Sequence, residues 1–355
     1  MIDKILGRFN KFFSNDVGID LGTANTLVYL RGKGIVINEP SVVALNKKTG
    51  QVVAVGAAAK QMLGRTPSHI SAVRPIVEGV ISDFEVTEEM INYFIDVSQK
   101  SARRFLGPRV VIGVPSGITN VESRAVRDVA KNAGAREVFI VEQPMAAAIG
   151  VRLPVHEPVG NMVVDIGGGT TDIAVISLGG VVQSRNIKIA GDRFNNDIIS
   201  YVRSEFKILI GEKTAEYVKI AIGSAMHVGS AEAVIKGRDL VTGLPREVTV
   251  TEGDIRDALT PSLDVLLESI RSILETTPPE IVSDIMQKGI SLSGGGALLR
   301  GLDKVISEFV GIQVIVPDDP LTAVARGTGI ILENIKDFED ILVKSDDEEY
   351  SRDSN

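Results

Sequence analysis

The chain has 355 residues, a formal net charge of −8 and no cysteine, and apolar residues make up 44% of it. This length and composition are typical of a folded α/β protein with two lobes or one large domain, and they exclude a peptide, a lone small module and a largely disordered chain. The negative charge argues against a nucleic-acid partner bound through a basic surface, and the lack of cysteine excludes disulfides, thiolate catalysis and cysteine-ligated zinc.

The first predicted element is an amphipathic helix over residues 1–13. At 100° per residue its apolar side chains share one face, and the cations Lys4, Arg8 and Lys11 lie on the remainder. Such a helix either docks on the body of the protein or lies in a membrane interface with its cations near anionic headgroups. We favour the membrane, because this separate segment is cationic on an otherwise acidic chain. The predicted membrane-binding residues are Ile2, Lys4, Ile5, Leu6, Arg8, Phe9, Lys11, Phe12 and Phe13.

A hairpin follows, whose turn consists of small and polar residues. Asp20 ends its first strand, and the turn is Gly22, Thr23, Ala24 and Asn25. Small residues let backbone N–H groups approach phosphate oxygens, and an aspartate at the end of a strand can hold hydrated Mg²⁺. Taken alone, the pattern also fits an ordinary hairpin.

A strand, a helix and a second strand are predicted between residues 110 and 142. The second strand ends in Glu142-Gln143-Pro144, and an alanine-rich helix follows it. These elements complete a first lobe over 17–150, with an insertion at about 32–108.

The hairpin pattern recurs at 163–176. Asp165 matches Asp20 and Gly167 matches Gly22, so the repeat preserves the positions as well as the residue types. This repetition makes an ordinary hairpin a poor explanation and predicts two loops that clamp one triphosphate. The second turn contains Gly167, Gly168, Gly169 and Thr170.

The strand–helix–strand unit also recurs, beginning at residue 290 and passing through Gly294, Gly295 and Gly296. We therefore predict an α/β protein of two duplicated lobes with a ligand cleft between them. The second lobe is predicted to span 151–325 with an insertion at about 195–255, followed by a C-terminal helix at 326–344 that returns to the first lobe and an acidic flexible tail at 345–355.

These motifs resemble the actin, sugar kinase and Hsp70 ATPase superfamily, and residues 17–343 resemble the MreB family of bacterial actin homologues. The two turns are similar to the phosphate loops of that superfamily, and Glu142-Gln143-Pro144 is similar to its first connection between lobes. The resemblance implies an actin-like (ribonuclease H-like) fold of two duplicated lobes with a nucleotide cleft, and it implies ATP and Mg²⁺ as cofactors. Its further support comes from Arg74-Pro75, Val114 to Gly117, Leu240 to Pro245 and 292–299.

The resemblance also implies the roles of individual residues. Asp20 and Asp165 would hold Mg²⁺ through water, while Glu142 would orient or activate the attacking water with help from Thr170. Such phosphoryl transfer needs placement and charge neutralisation rather than a covalent nucleophile, which suits a site without cysteine or histidine.

The implied ATP contacts extend beyond the two turns. Lys213 and Glu216 lie one turn apart on a predicted helix, so a solvated ion pair is the alternative to nucleotide contact. The implied ATP-binding residues are Gly22, Thr23, Ala24, Asn25, Gly167, Gly168, Gly169, Gly191, Lys213, Glu216, Gly294, Gly295 and Gly296.

By resemblance, the function is that of a slow ATPase whose filaments, in paired protofilaments, organise cell-wall synthesis and rod shape on the cytoplasmic face of the cell membrane. The implied partners are further copies of the chain, membrane lipid and the membrane proteins of cell-wall elongation. Hydrolysis of ATP to ADP and phosphate would then time filament assembly rather than serve metabolism. A sugar or carboxylate kinase is the alternative, disfavoured by the membrane helix and by the lack of an obvious substrate loop. An Hsp70-like chaperone is disfavoured because the two lobes leave no length for a peptide-binding domain.

Overall fold

The structure is a computed structural model that describes residues 16–99 and 107–344. The membrane helix predicted at 1–13 and the acidic tail predicted at 345–355 lie outside the described residues. Two compact units are present. The first comprises the described residues of Met1–Glu157, Leu178–Gly180 and Thr322–Asn355, and the second comprises Pro158–Ser177 and Val181–Leu321.

The elements are numbered in chain order, and those of the first unit come from both ends of the chain. Its strands are β1 Val17–Leu21, β2 Asn25–Leu30, β3 Gly34–Pro40, β4 Val43–Asn46, β5 Val52–Val55, β6 Ile70–Val73, β7 Ile76–Val77, β8 Val80–Ile81, β9 Arg109–Val114 and β10 Glu137–Glu142. Its helices are α1 Ala57–Met62, α2 Phe84–Ser98, α3 Asn120–Asn132, α4 Gln143–Gly150 and α10 Ala323–Glu333, with a 3₁₀ helix at Ile335–Ile341.

The elements of the second unit lie in the middle of the chain. Its strands are β11 Asn161–Ile166, β12 Thr171–Ser177, β13 Gly180–Ile187, β14 Ile208–Leu209, β15 Glu232–Asp239, β16 Pro245–Thr251, β17 Ile290–Ser293 and β18 Val314–Ile315. Its helices are α5 Gly191–Glu205, α6 Glu212–Ile222, α7 Glu252–Thr276, α8 Pro279–Lys288 and α9 Leu302–Val310, with 3₁₀ helices at Gly295–Leu298 and Pro320–Thr322.

Both units are built on a five-stranded sheet with the same topology. The strand order is β3-β2-β1-β9-β10 in the first sheet and β13-β12-β11-β17-β18 in the second. In each sheet the central strand pairs antiparallel with the next strand of the chain, and it pairs parallel with a strand that comes later. This common order confirms the predicted duplication, and it places the two turns at corresponding ends of the two central strands.

Helices cover both faces of the first sheet. Since alternate residues of a strand point to opposite faces, side chains of the same strand pack against helices on both sides. Ile19 and Ile112 pack with Phe94 of α2 and Val129 of α3 in one hydrophobic core. On the other face, α10 packs so closely on β1 that a Cβ at Gly18 would lie 2.6 Å from the Thr328 hydroxyl. Burial on both faces explains why the central strands read as continuous apolar runs.

An ion-pair cluster fixes the point at which the chain enters β1. Asp16 is 4% exposed and accepts from Arg109 through Nε at 3.1 Å, Nη2 at 2.7 Å and the backbone N–H at 3.1 Å. Arg31 also donates to it, with 3.1 Å between Nη1 and Oδ2. Both guanidinium groups bond the same oxygen, Oδ2, so they pair the charge of the buried carboxylate and tie β1 to its neighbours.

Smaller sheets extend each unit. The order β5-β4-β6 and the ribbon β7-β8 belong to the first unit, and β14-β15-β16 belongs to the second. Of the helices within the described ranges, none combines the length and the apolar character that crossing a bilayer demands.

Candidate functional site

The first turn, after β1, is braced by a fully buried serine. Ser41 donates its hydroxyl to the carbonyl oxygen of Gly22 at 2.5 Å and its backbone N–H to that of Ala24 at 3.0 Å. Since its one hydroxyl hydrogen is used, the 2.9 Å contact with Thr26 requires the Thr26 hydroxyl to donate. A Cβ at Gly22 would lie 2.6 Å from the Asn25 carbonyl oxygen, so the turn leaves no room for a side chain there.

The β7–β8 turn contacts the same loop. The backbone N–H of Gly79 donates to the Thr23 hydroxyl oxygen at 2.9 Å. Its neighbour Glu78 has φ 51, a left-handed conformation that is uncommon outside glycine. The predicted insertion therefore supports the first turn directly, and the Thr23 hydroxyl can still donate its hydrogen to an anion.

Two carboxylates end parallel strands at the same edge of the first sheet. Asp20, near the end of β1, accepts from Gln143, with 3.2 Å between Nε2 and Oδ1. Glu142, at the end of β10, accepts from the backbone N–H of Gly117 at 3.3 Å and from the Ser116 hydroxyl at 3.5 Å. The predicted metal-binding and water-activating residues of the first lobe are thus gathered at one sheet edge.

Burial changes the acidity of the first aspartate. It raises the pKa of Asp20 from an ordinary value of 3.8 to about 7, and the hydrogen bond from Gln143 offsets part of this shift. In the absence of a bound cation the carboxyl group therefore gains its proton more readily in the folded than in the unfolded chain.

This shift predicts a pH dependence of folding stability. Between pH 3.8 and about 7 the folded chain binds more protons than the unfolded chain, so the free energy of unfolding falls as pH rises through this window and levels off above it. Asp20→Asn is expected to remove this contribution. Urea denaturation of both proteins in EDTA from pH 4 to 8 measures it, and a stability difference that stays constant with pH contradicts it.

The second turn lies against the start of α5. The backbone N–H groups of Gly191 and Asp192 donate to the carbonyl oxygens of Gly167 and Gly168, at 3.1 and 2.8 Å. These bonds use donors that the first turn of a helix otherwise leaves unsatisfied, and they hold the loop to the helix. The predicted residues Gly167 to Gly169 and Gly191 are therefore brought together.

The glycine motif after β17 passes beside the end of β11. The buried Ser293 hydroxyl donates to Asp165, with 2.7 Å between Oγ and Oδ1. Gly294 has φ 77, and a Cβ there would overlap the carbonyl oxygen of Ile166, while a Cβ at Gly296 would overlap the Ile166 side chain. Close backbone approach explains the glycines, and it places them next to Asp165.

A lysine that the sequence did not single out reaches the start of α5, beside the second turn. Lys219 of α6 donates its ammonium group to the carbonyl oxygen of Gly191 at 2.9 Å. On the same helix Lys213 is exposed and Glu216 is half-buried. Helical periodicity predicts the helix but not which lysine meets α5, because that depends on how α5 and α6 pack. The roles of Lys213 and Glu216 in ATP binding stay predictions.

The residue types at each turn fit a magnesium ion held partly by water. Among the described residues, no three side chains of the metal-binding types Asp, Glu, His and Cys group closely enough to ligate a metal. Each turn instead has one strand-end aspartate, Asp20 or Asp165. Mg²⁺ keeps several waters and is often bound by one or two carboxylates together with substrate phosphates.

The chain is similar to known proteins over most of its length. The MreB/Mbl protein family matches residues 14–340. The cell shape-determining protein MreB of Escherichia coli K12 is 52% identical over 336 residues, which cover 93% of this chain and 97% of that protein.

Solved structures agree with this match. MreB5 of Spiroplasma citri bound to ADP superposes with a TM-score of 0.86 at 41% identity, over 90% of this chain and 96% of that chain. The structure of MreB5 of Spiroplasma citri bound to AMPPNP gives a TM-score of 0.85. A MamK double helical filament gives 0.76 at 23% identity, over 90% and 99% of the chains, a likeness of fold alone. The chain belongs to the MreB/Mbl family and has its actin-like fold.

Proposed function

We propose that this protein binds and slowly hydrolyses ATP, and that its filaments on the inner face of the cell membrane organise cell-wall synthesis and rod shape. The observation that carries the proposal is the paired design of the two turns, each with a strand-end aspartate, a backbone-rich loop and a neutral hydrogen-bond donor to that aspartate. Support comes from the nucleotides in the MreB5 structures and from the cell shape-determining role in the names of the relatives.

The proposed chemistry relies on placement. Backbone N–H groups of the two turns would bind the phosphates of ATP, and Asp20 and Asp165 would hold hydrated Mg²⁺, which would neutralise phosphate charge. The Glu142 carboxylate, aligned by Gly117 and Ser116, orients the attacking water and accepts its proton. Thr170, which is 7% exposed, assists Glu142 with the attacking water near the terminal phosphate.

Two lysines of α6 give a matched comparison for nucleotide binding. Lys219→Ala removes a cation held beside Gly191 and is expected to weaken ATP binding about tenfold, the typical effect of losing one charged hydrogen bond. Lys213→Ala removes an exposed cation from the same helix and is expected to have the smaller effect. Titration with a fluorescent ATP analogue measures both, and a larger loss in Lys213→Ala would contradict the ranking.

The proposed membrane attachment depends on assembly. One amphipathic helix of 13 residues gains from apolar burial and from three cations about as much as its ordering costs, so a single copy binds marginally. A filament presents many helices at once and binds firmly through effective concentration. Polymerisation would therefore control membrane binding.

Electron microscopy of the purified protein with ATP and Mg²⁺ on anionic liposomes tests the proposal. Paired filaments lying on the bilayer are expected, and dispersed monomers under all conditions would refute it. Ile2→Glu/Phe9→Glu is the control for the membrane, since it should abolish pelleting with liposomes and leave nucleotide binding intact. Unchanged pelleting would reject the membrane role, and rapid phosphorylation of an added sugar would favour a kinase instead.

A further inference from the structure

The residue opposite each strand-end aspartate differs between the two sheets. In the parallel pairing of β11 with β17, Asp165 lies opposite Ser293, whereas in that of β1 with β9, Asp20 lies opposite Gly113. Ser293 donates directly to Asp165 at 2.7 Å. Because Gly113 has no side chain, the corresponding donor in the first sheet has to come from another element.

Gln143, the residue after β10, supplies this donor. Its side chain is 8% exposed, and its amide nitrogen lies 3.2 Å from Asp20 Oδ1. A Cβ at Gly113 would lie 3.5 Å from Gln143 Cγ and 3.0 Å from Val324 Cγ1. Gln143 thus passes beside Gly113 at ordinary contact distance and reaches Asp20 from the far side of β9.

We propose that Gln143 is a positioning residue that holds the Asp20 carboxylate in the orientation in which it binds hydrated Mg²⁺. Ser293 has the same role for Asp165. Both donors are neutral, so they orient a carboxylate and preserve the negative charge that attracts the cation, whereas lysine or arginine would compete with the cation. The inference rests on the proposed nucleotide-binding function.

The position of Gln143 in the chain gives this hydrogen bond a second effect. Gln143 directly follows Glu142, whose carboxylate is held by Gly117 and Ser116. The bond to Asp20 therefore links the metal-binding carboxylate of β1 to the strand end that carries the water-activating carboxylate. One connected hydrogen-bond network therefore orients both the metal-binding carboxylate and the carboxylate that activates the water.

Gln143→Met tests the proposal, because methionine preserves length and packing but cannot donate. The measurement is the Mg²⁺ concentration that gives half-maximal binding of a fluorescent ATP analogue to the full-length protein. It is expected to rise about tenfold, as for the loss of one hydrogen bond to a charged group. Analogue binding in excess EDTA and the melting temperature should not change, whereas a purely structural role would change both. An unchanged Mg²⁺ requirement overturns the proposal.

A rescue variant provides an independent readout. Gly113→Ser in a Gln143→Ala background places a hydroxyl opposite Asp20, in the register that Ser293 has opposite Asp165. The Mg²⁺ requirement of the double variant should return towards that of the wild type, and a folded double variant that requires as much Mg²⁺ as Gln143→Ala overturns the proposal. Ser293→Ala is expected to raise the requirement by a similar factor.

Binding of the analogue by the wild-type protein separates the proposed function from the positioning role of Gln143. If the wild-type protein does not bind the analogue with or without Mg²⁺, the proposed function fails. If the wild type binds with Mg²⁺ and Gln143→Met binds identically at every Mg²⁺ concentration, the proposed function stands and the positioning role of Gln143 fails.

Discussion

Glu142→Ala is expected to slow ATP hydrolysis about a hundredfold or more and to leave nucleotide binding within about twofold of the wild type. General base catalysis typically contributes 10²- to 10⁴-fold, and the Glu142 carboxylate is held at the sheet edge by Gly117 and Ser116. Phosphate release in a single-turnover assay measures the rate. Because ATP then persists in the filament, assemblies of this variant should also last longer.

The matched control for this variant lies on the same strand. Glu137 begins β10, its side chain is 51% exposed, and it pairs with Arg136 on the surface. Glu137→Ala changes the same residue type at the opposite end of β10 and should hydrolyse ATP at the wild-type rate. Normal turnover in Glu142→Ala would show that another group activates the water.

Gly327→Ala is expected to destabilise the first unit by about 3 kcal/mol or more, the upper range for overpacking of a close contact. A Cβ at Gly327 of α10 would overlap the carbonyl oxygen of Ala146 in α4, and a Cβ at Gly150 of α4 would overlap that of Ala323. The two helices thus meet backbone to backbone at two points, and neither can yield by rotating a side chain.

Gly253→Ala in α7 is the control for this prediction. A Cβ at Gly253 would lie 3.5 Å from the Thr251 hydroxyl and 3.7 Å from the Arg256 guanidinium, which are ordinary contacts. Alanine is also the better helix former, so this variant should match or slightly exceed the wild type in stability. Urea denaturation compares the three proteins, and a Gly327→Ala variant as stable as Gly253→Ala would contradict the close helix contact.

Local patterns in the sequence predicted the parts of the fold that depend on neighbouring residues. Asp20 with Gly22, and Asp165 with Gly167, each mark a strand end and its turn within a few positions, so the duplicated hairpins could be recognised without knowing their surroundings. The common order of the two sheets then follows from the repeated succession of strands and helices.

Contacts between distant segments were not predictable in this way. Ser41 supports the first turn from the position just after β3, and Gly79 reaches Thr23 from the β7–β8 turn. Lys219 meets Gly191 only because α5 and α6 pack together. Ser41, Gly79 and Lys219 belong to none of the short motifs. Their roles depend on tertiary packing, which hydrophobic periodicity does not specify.

The ion-pair cluster at Asp16 has a mechanical consequence. The segment proposed to bind the membrane ends just before Asp16, and β1 is the central strand of its sheet, flanked by β2 and β9. Traction on that segment would load β1 in shear, so many backbone hydrogen bonds would have to break together rather than one after another as in the peeling of an edge strand. Arg31 and Arg109 hold Asp16, the residue through which the force would enter β1. A filament attached in this way could bear tension against the membrane without unfolding of its subunits.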